Sequence, residues 1–160
     1  MIPAQHQQLV NFIWTIADDI LRDVYKRGKY ADVILPFTVL RRLDTVLKPT
    51  HDEVVAMNQK MEELNIQNRA PQLTNVSGYT FYNVSPFTLD KILEEPSSVE
   101  RNMLTYLDGF SENLQQVVQR FSLRNHVRVL ADSNRLFSLV ERFCDGSTGA
   151  AVYVHLYGCV

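Results

Sequence analysis

The stretch Leu9-Val10-Asn11-Phe12-Ile13-Trp14-Thr15-Ile16-Ala17-Asp18-Asp19-Ile20-Leu21-Arg22-Asp23-Val24 decides the fold class. Leu9, Phe12, Ile13, Ile16, Ala17, Ile20, Leu21 and Val24 recur at steps of three and four. Residues so spaced share one face of a helix, so the pattern predicts an amphipathic helix from about Gln5 to Val24. Gly28 punctuates it. A second apolar block, Tyr30 to Leu47, again steps helically through Val33, Ile34, Phe37, Leu40, Leu43 and Leu47. Pro36 interrupts that block. Either the helix starts near Leu35, or it bends at Pro36 at a cost of ~3 kcal/mol recovered by packing. Pro49 ends it.

Working outward, Thr50 with Glu53 has the spacing of a capping box, and the next helix carries Val54, Met57, Met61 and Leu64 on one face. From Asn65 to Pro86 the pattern dissolves into Asn, Gln, Pro, Ser and Thr, which predicts a long loop around 65–86 with one short extended piece. Helical character returns at Thr88 to Leu93. Ser97 with Glu100 opens another helix that stops at Gly109, and Ser111 caps one bearing Leu114, Val117, Val118 and Phe121. The set Val127, Leu130, Leu136, Phe137, Leu139, Val140 and Phe143 completes the pattern, with Asp132 or Ser133 placed to split it in two. The expectation is an all-α protein, a compact bundle of six or seven helices.

The last 16 residues fall outside this pattern. Asp145-Gly146-Ser147-Thr148-Gly149 breaks the helix, and Val152, Val154 and Leu156 then alternate with Tyr153, His155 and Tyr157 at a strand period. Residues 1–144 therefore read as one helical domain. Residues 145–160 read as an anomalous, irregular or strand-like tail, explained by a frame change, a truncation or residues of artificial origin, with a native strand-like linker as the alternative.

Composition narrows the classes. The chain has 160 residues, 46% of them hydrophobic, with six Gly and six Pro, which excludes disordered and collagen-like architectures. No apolar run approaches the ~20 residues that span a bilayer, and no signal peptide is visible, so a cytoplasmic protein without membrane association is expected. Only Cys144 and Cys159 are present, too few for a disulfide framework.

Catalytic patterns are missing. Gly146-Ser147-Thr148-Gly149 is neither a dinucleotide fingerprint nor a P-loop and follows a helix. Asp18-Asp19, Glu62-Glu63 and Glu94-Glu95 lie on predicted helices, where neighbours point apart, so they are solvated faces and not acid/base pairs. Cys144, His155 and Cys159 lack a fourth ligand and a familiar zinc spacing. No catalytic, cofactor-binding or metal-binding residue is assigned.

Charge says more. The formal net charge is −2, so any nucleic-acid contact must come from a local patch. Arg22, Lys26, Arg27 and Lys29 cluster around the first interhelix turn against Asp23, and Arg41 and Arg42 follow on the second helix. Arg120, Arg124, Arg128, Arg135 and Arg142 spread over the last helices. These cations either present a basic face to phosphates or are spent on solvated faces and internal pairs such as Arg41 or Arg42 with Asp44.

The run Gly28-Lys29-Tyr30-Ala31-Asp32-Val33-Ile34-Leu35-Pro36-Phe37-Thr38-Val39-Leu40-Arg41-Arg42-Leu43-Asp44 resembles the signature of the N-terminal domain of type I restriction–modification methyltransferase (M) subunits. Asn11-Phe12-Ile13-Trp14 with Ile16-Ala17-Asp18, Phe81-Tyr82-Asn83 and Leu107-Asp108-Gly109-Phe110-Ser111 extend the resemblance over about residues 8 to 144.

That resemblance implies a helical domain preceding a catalytic domain that binds S-adenosylmethionine and methylates adenine N6. The glycine-rich cofactor motif and the Asn-Pro-Pro-Phe motif of that catalytic domain do not occur here. A non-catalytic role in subunit assembly and closure around target DNA is therefore expected, with the fragment inactive alone. A specificity (S) subunit, a second M subunit, a restriction (R) subunit and duplex DNA are the implied partners. Arg22, Lys26, Arg27, Lys29, Arg41 and Arg42 are the expected contacts to DNA or partner. The competing expectation is a free-standing helical interaction module, or a truncated product, with no DNA role.

Overall fold

A computed structural model describes residues 3–145, and the anomalous tail lies outside that range apart from Asp145. Nine α-helices make up the described fold: α1 (Pro3–Ile16), α2 (Tyr30–Leu47), α3 (His51–Glu63), α4 (Ala70–Ser77), α5 (Leu89–Leu93), α6 (Val99–Asp108), α7 (Glu112–Arg120), α8 (Leu123–Asp132) and α9 (Leu136–Cys144). The all-α expectation holds. The larger count comes from α4 and from the division of the last apolar stretch.

Helix α1 buries Phe12 and Ile16 as the spacing predicts, while Ile13 of the same stripe is 38% exposed. The chain then widens into a π-helical turn over Ala17–Leu21, which keeps Ala17, Ile20 and Leu21 buried while Asp18 and Asp19 face outward. Val24, expected inside the helix, falls in the turn beyond it, where the amides of Val24 and Tyr25 both bond the Leu21 carbonyl. Lys26 is extended, and a 3-10 turn over Arg27–Lys29 leads into α2. That helix begins at Tyr30 and runs through Pro36, so the proline does not mark its start. Pro36 is buried beside Val33 and Phe37, and that packing offsets the amide hydrogen bond the proline cannot make.

Helix α9 is central. It packs against α2, α5, α6 and α8. Its inward face, Leu136, Leu139, Val140 and Phe143, is buried as the spacing predicts. The Phe143 ring lies edge-on to Phe12 at 5.5 Å and stacked with Phe37 at 6.2 Å, so one side chain joins α1, α2 and α9. Burying each such aromatic contributes roughly 1.5–3 kcal/mol.

Three local expectations are corrected. The stretch 65–86 contains α4, because Pro71 suits a helix start, Leu73 is buried and Gly78 closes the helix in the left-handed region at φ 77°. After α4 the chain is stitched to the α6–α7 turn, with the Val84 amide on the Gly109 carbonyl at 2.8 Å and the Ser111 amide on the Tyr82 carbonyl at 2.9 Å. Neither expected capping box forms. Thr50 Oγ1 turns back to the Leu47 carbonyl at 3.5 Å, and α6 starts at Val99 after a 3-10 turn over Pro96–Ser98. Thr88 does cap α5, accepting from the Lys91 amide at 3.3 Å. The α8–α9 break is made by Asn134 in the left-handed region (φ 57°), not by a cap from Asp132 or Ser133.

Candidate functional site

The first interhelix turn holds the sequence-expected cluster together. Arg22, Lys26, Arg27 and Lys29 are all exposed. Arg22, Lys26 and Arg27 line an open cleft of about 900 Å³ with Asp18, Tyr25 and Tyr30. The Arg27 guanidinium lies over the half-exposed Trp14 ring, 5.8 Å from its centroid, within cation–π range. The extended Lys26 and the 3-10 turn after it splay these cations outward. Arg22, Lys26 and Arg27 enter no ion pair among the described residues. Lys29 is 3.6 Å from Asp32.

Arg41 and Arg42 sit elsewhere, about 18 Å further along α2 at 1.5 Å per residue. Arg41 is paired with Asp44 at 3.3 Å, the internal alternative foreseen from sequence. Arg42 is half-buried. Several cations of the later helices are likewise spent inside the domain. Arg142 meets Asp19 at 3.0 Å, Arg135 meets Asp23 at 3.8 Å, and Arg124 donates twice to Asp108. The first two pairs clip the π turn to α9 and to the residue before it. Screening makes each exposed pair worth little by itself, but together they fix the turn that carries the free cations.

Asp44 is buried and well supplied with donors. Oδ1 accepts from the Tyr106 hydroxyl and the Leu89 amide, both at 3.1 Å, while Oδ2 faces Arg41. Burial pushes the carboxyl above its ordinary pKa, and the Leu89 bond, Arg41 and Tyr106 oppose that shift. Tyr106, buried at the same point, is raised well above its ordinary value by desolvation and then by the Asp44 charge. This hub ties α2, α5 and α6. A crevice large enough for about one water lies against it.

A second concavity of about 580 Å³ lies on the other side of Tyr25, between the start of α2 and the α7–α8 junction. Leu35 (56% exposed) and Phe121 (37% exposed) line it, with Lys29, Arg120 and His126 at its edges. The Tyr25 hydroxyl and His126 Nδ1 are hydrogen-bonded at 2.9 Å. Burial lowers the His126 pKa, with Asp32 opposing. Sequence reading missed this groove, because it joins residues some 90 positions apart and only the stray outward Leu35 hinted at it.

Burial pushes the Cys144 thiol up to about 12, which keeps it from acting as a thiolate nucleophile near neutral pH. No group of three metal-ligating side chains occurs among the described residues, and no described helix is long and apolar enough to cross a membrane. No strand leads into a glycine-rich loop among the described residues.

Fold and site together define a class: an all-α domain of packed short helices bearing an exposed cationic turn. The chain belongs to the HsdM N-terminal domain family, whose model matches residues 9–143. This is the N-terminal domain of the M subunit of type I restriction–modification methyltransferases. Comparisons with curated proteins and with solved structures gave no match.

Proposed function

We propose that this chain acts as an assembly and DNA-closure domain of a type I adenine-N6 methyltransferase, without catalytic activity of its own. It works beside a specificity subunit, a second M subunit and a restriction subunit, while a separate domain of the parent subunit handles S-adenosylmethionine and the target adenine. The observation that carries this reading is the unpaired cationic turn Arg22, Lys26 and Arg27 on a domain of this family. With Arg41 held by Asp44 and Lys29 beside Asp32, these three are the DNA contacts we favour. They would meet phosphates, which position a protein on the duplex without reading its sequence, so target choice stays with the specificity subunit.

The test is titration of a fluorescent duplex with this chain, alone and with its specificity subunit, over a range of salt. Binding that weakens steeply as salt rises supports the reading. No binding at low salt in either setting sinks the DNA role and leaves a helical interaction module.

A further inference from the structure

We propose that the groove between the start of α2 and the α7–α8 junction is a docking site for an acidic, amphipathic segment of a protein partner. An apolar side chain of that segment seats between Leu35 and Phe121, and a carboxylate lies between Lys29 and Arg120. The proposal rests on the assembly reading of the domain but not on its contact with DNA.

The floor is built to receive apolar atoms. Leu35 and Phe121 are among the most exposed large apolar side chains of the domain, and both line this one concavity. The backbone keeps Phe121 there. Ser122, the residue after it, stands in the left-handed region at φ 52°, a conformation a serine adopts only at a cost. That kink ends α7, starts α8 and leaves Phe121 at the corner over the groove. On the opposite wall Pro36 is locked in α2 by its burial, which fixes the neighbouring Leu35 outward.

Charge selects the occupant. Lys29 stands on the α2 side and Arg120 on the α7 side, and Asp32, beside Lys29, is the one acid lining the groove. Arg120 makes no ion pair among the described residues. Across the shared Tyr25 lie Arg22, Lys26 and Arg27 of the first cleft, together with Asp18 and Asp23. The Tyr25–His126 hydrogen bond holds the His126 ring at the groove lining. An apolar seat between cations fits a helix with Leu or Phe on one face and Glu at its flanks, the groove-binding mode of amphipathic segments. A duplex has phosphates for the cations but little apolar surface to match the Leu35 and Phe121 pair.

The experiment is an NMR titration of the labelled chain with two helical peptides. One carries a Leu/Phe stripe flanked by Glu, the other the same stripe flanked by Lys. The Glu peptide is expected to bind, shifting the amides around Leu35, Phe121 and His126, and the Lys peptide about tenfold or more weaker. Leu35→Asp with Phe121→Asp, both at exposed positions, should weaken the Glu peptide about tenfold or more with the fold intact. Arg120→Glu should narrow or reverse the preference between peptides. Equal binding of both peptides, no binding by either, or binding that survives the double variant overturns the proposal. So does duplex DNA competing for the same amides, or self-association of the chain through this face. A failure here leaves the DNA titration above untouched, so the two readings fall separately.

Discussion

The Tyr106 hydroxyl donates to Asp44 Oδ1 at 3.1 Å in a buried setting, joining the last turn of α2 to α6 across 62 residues of sequence. A buried carboxylate is tolerated only when donors surround it, and here Tyr106, the Leu89 amide and Arg41 all do so. Tyr106→Phe removes one donor and should cost about 1–2 kcal/mol in urea denaturation. Arg41→Ala should likewise lower stability, by about 1–3 kcal/mol, and leave the affinity for duplex DNA unchanged. A loss of DNA affinity by Arg41→Ala without a loss of stability would return Arg41 to the interface.

Two glycines should respond differently to alanine. A Cβ at Gly109 would collide with Asn83 Oδ1 and stand 2.6 Å from the Ser85 amide nitrogen, at the point where the 79–87 segment crosses the α6–α7 turn. Gly109→Ala should therefore cost about 1–3 kcal/mol, because backbone must move. Gly78 has open space but φ 77°, so Gly78→Ala should cost about 1 kcal/mol by strain alone. Thermal or urea unfolding of the pair measures both, and equal small losses would show that the stitched segment yields easily.

The pH dependence of stability should carry the mark of His126. Its folded pKa lies below 6.5 because burial disfavours the charged ring, so the unfolded chain binds the extra proton more readily. The stability this contributes is present above the unfolded pKa and is lost as pH falls through the folded one. Wild-type stability should thus rise with pH up to the ordinary histidine range, and His126→Gln should flatten part of that rise. Identical slopes for both proteins would show that the ring is as well solvated folded as unfolded.

Much of this was legible in the chain, for physical reasons. Most of the stripe from Phe12 to Leu21 and of the set from Leu136 to Phe143 is buried as the spacing predicts, since helical periodicity encodes which face meets the core; Ile13 (38% exposed) and the half-buried Phe137 are the exceptions. The basic turn was equally visible, four cations in eight residues punctuated by a glycine. The π turn at Ala17–Leu21 was not, because a one-residue widening leaves the apolar spacing almost unchanged. Helix α4 was masked by Thr74, Asn75 and Ser77, whose short polar side chains compete for backbone bonds and weaken the helical signal. Lys29 and Arg41 looked alike in sequence as candidate contacts. Only the fold shows that their neighbours Asp32 and Asp44 sit close enough to pair with them.

The central claim, that Arg22, Lys26 and Arg27 meet DNA phosphates, is tested most directly by reversing all three charges. The assembly with the specificity subunit is titrated onto a duplex at several salt concentrations, wild type against Arg22→Glu, Lys26→Glu, Arg27→Glu. The account predicts weaker binding to every sequence and a log–log salt slope shallower by about one unit for each lost contact. An unchanged slope and affinity in a folded triple variant would contradict it.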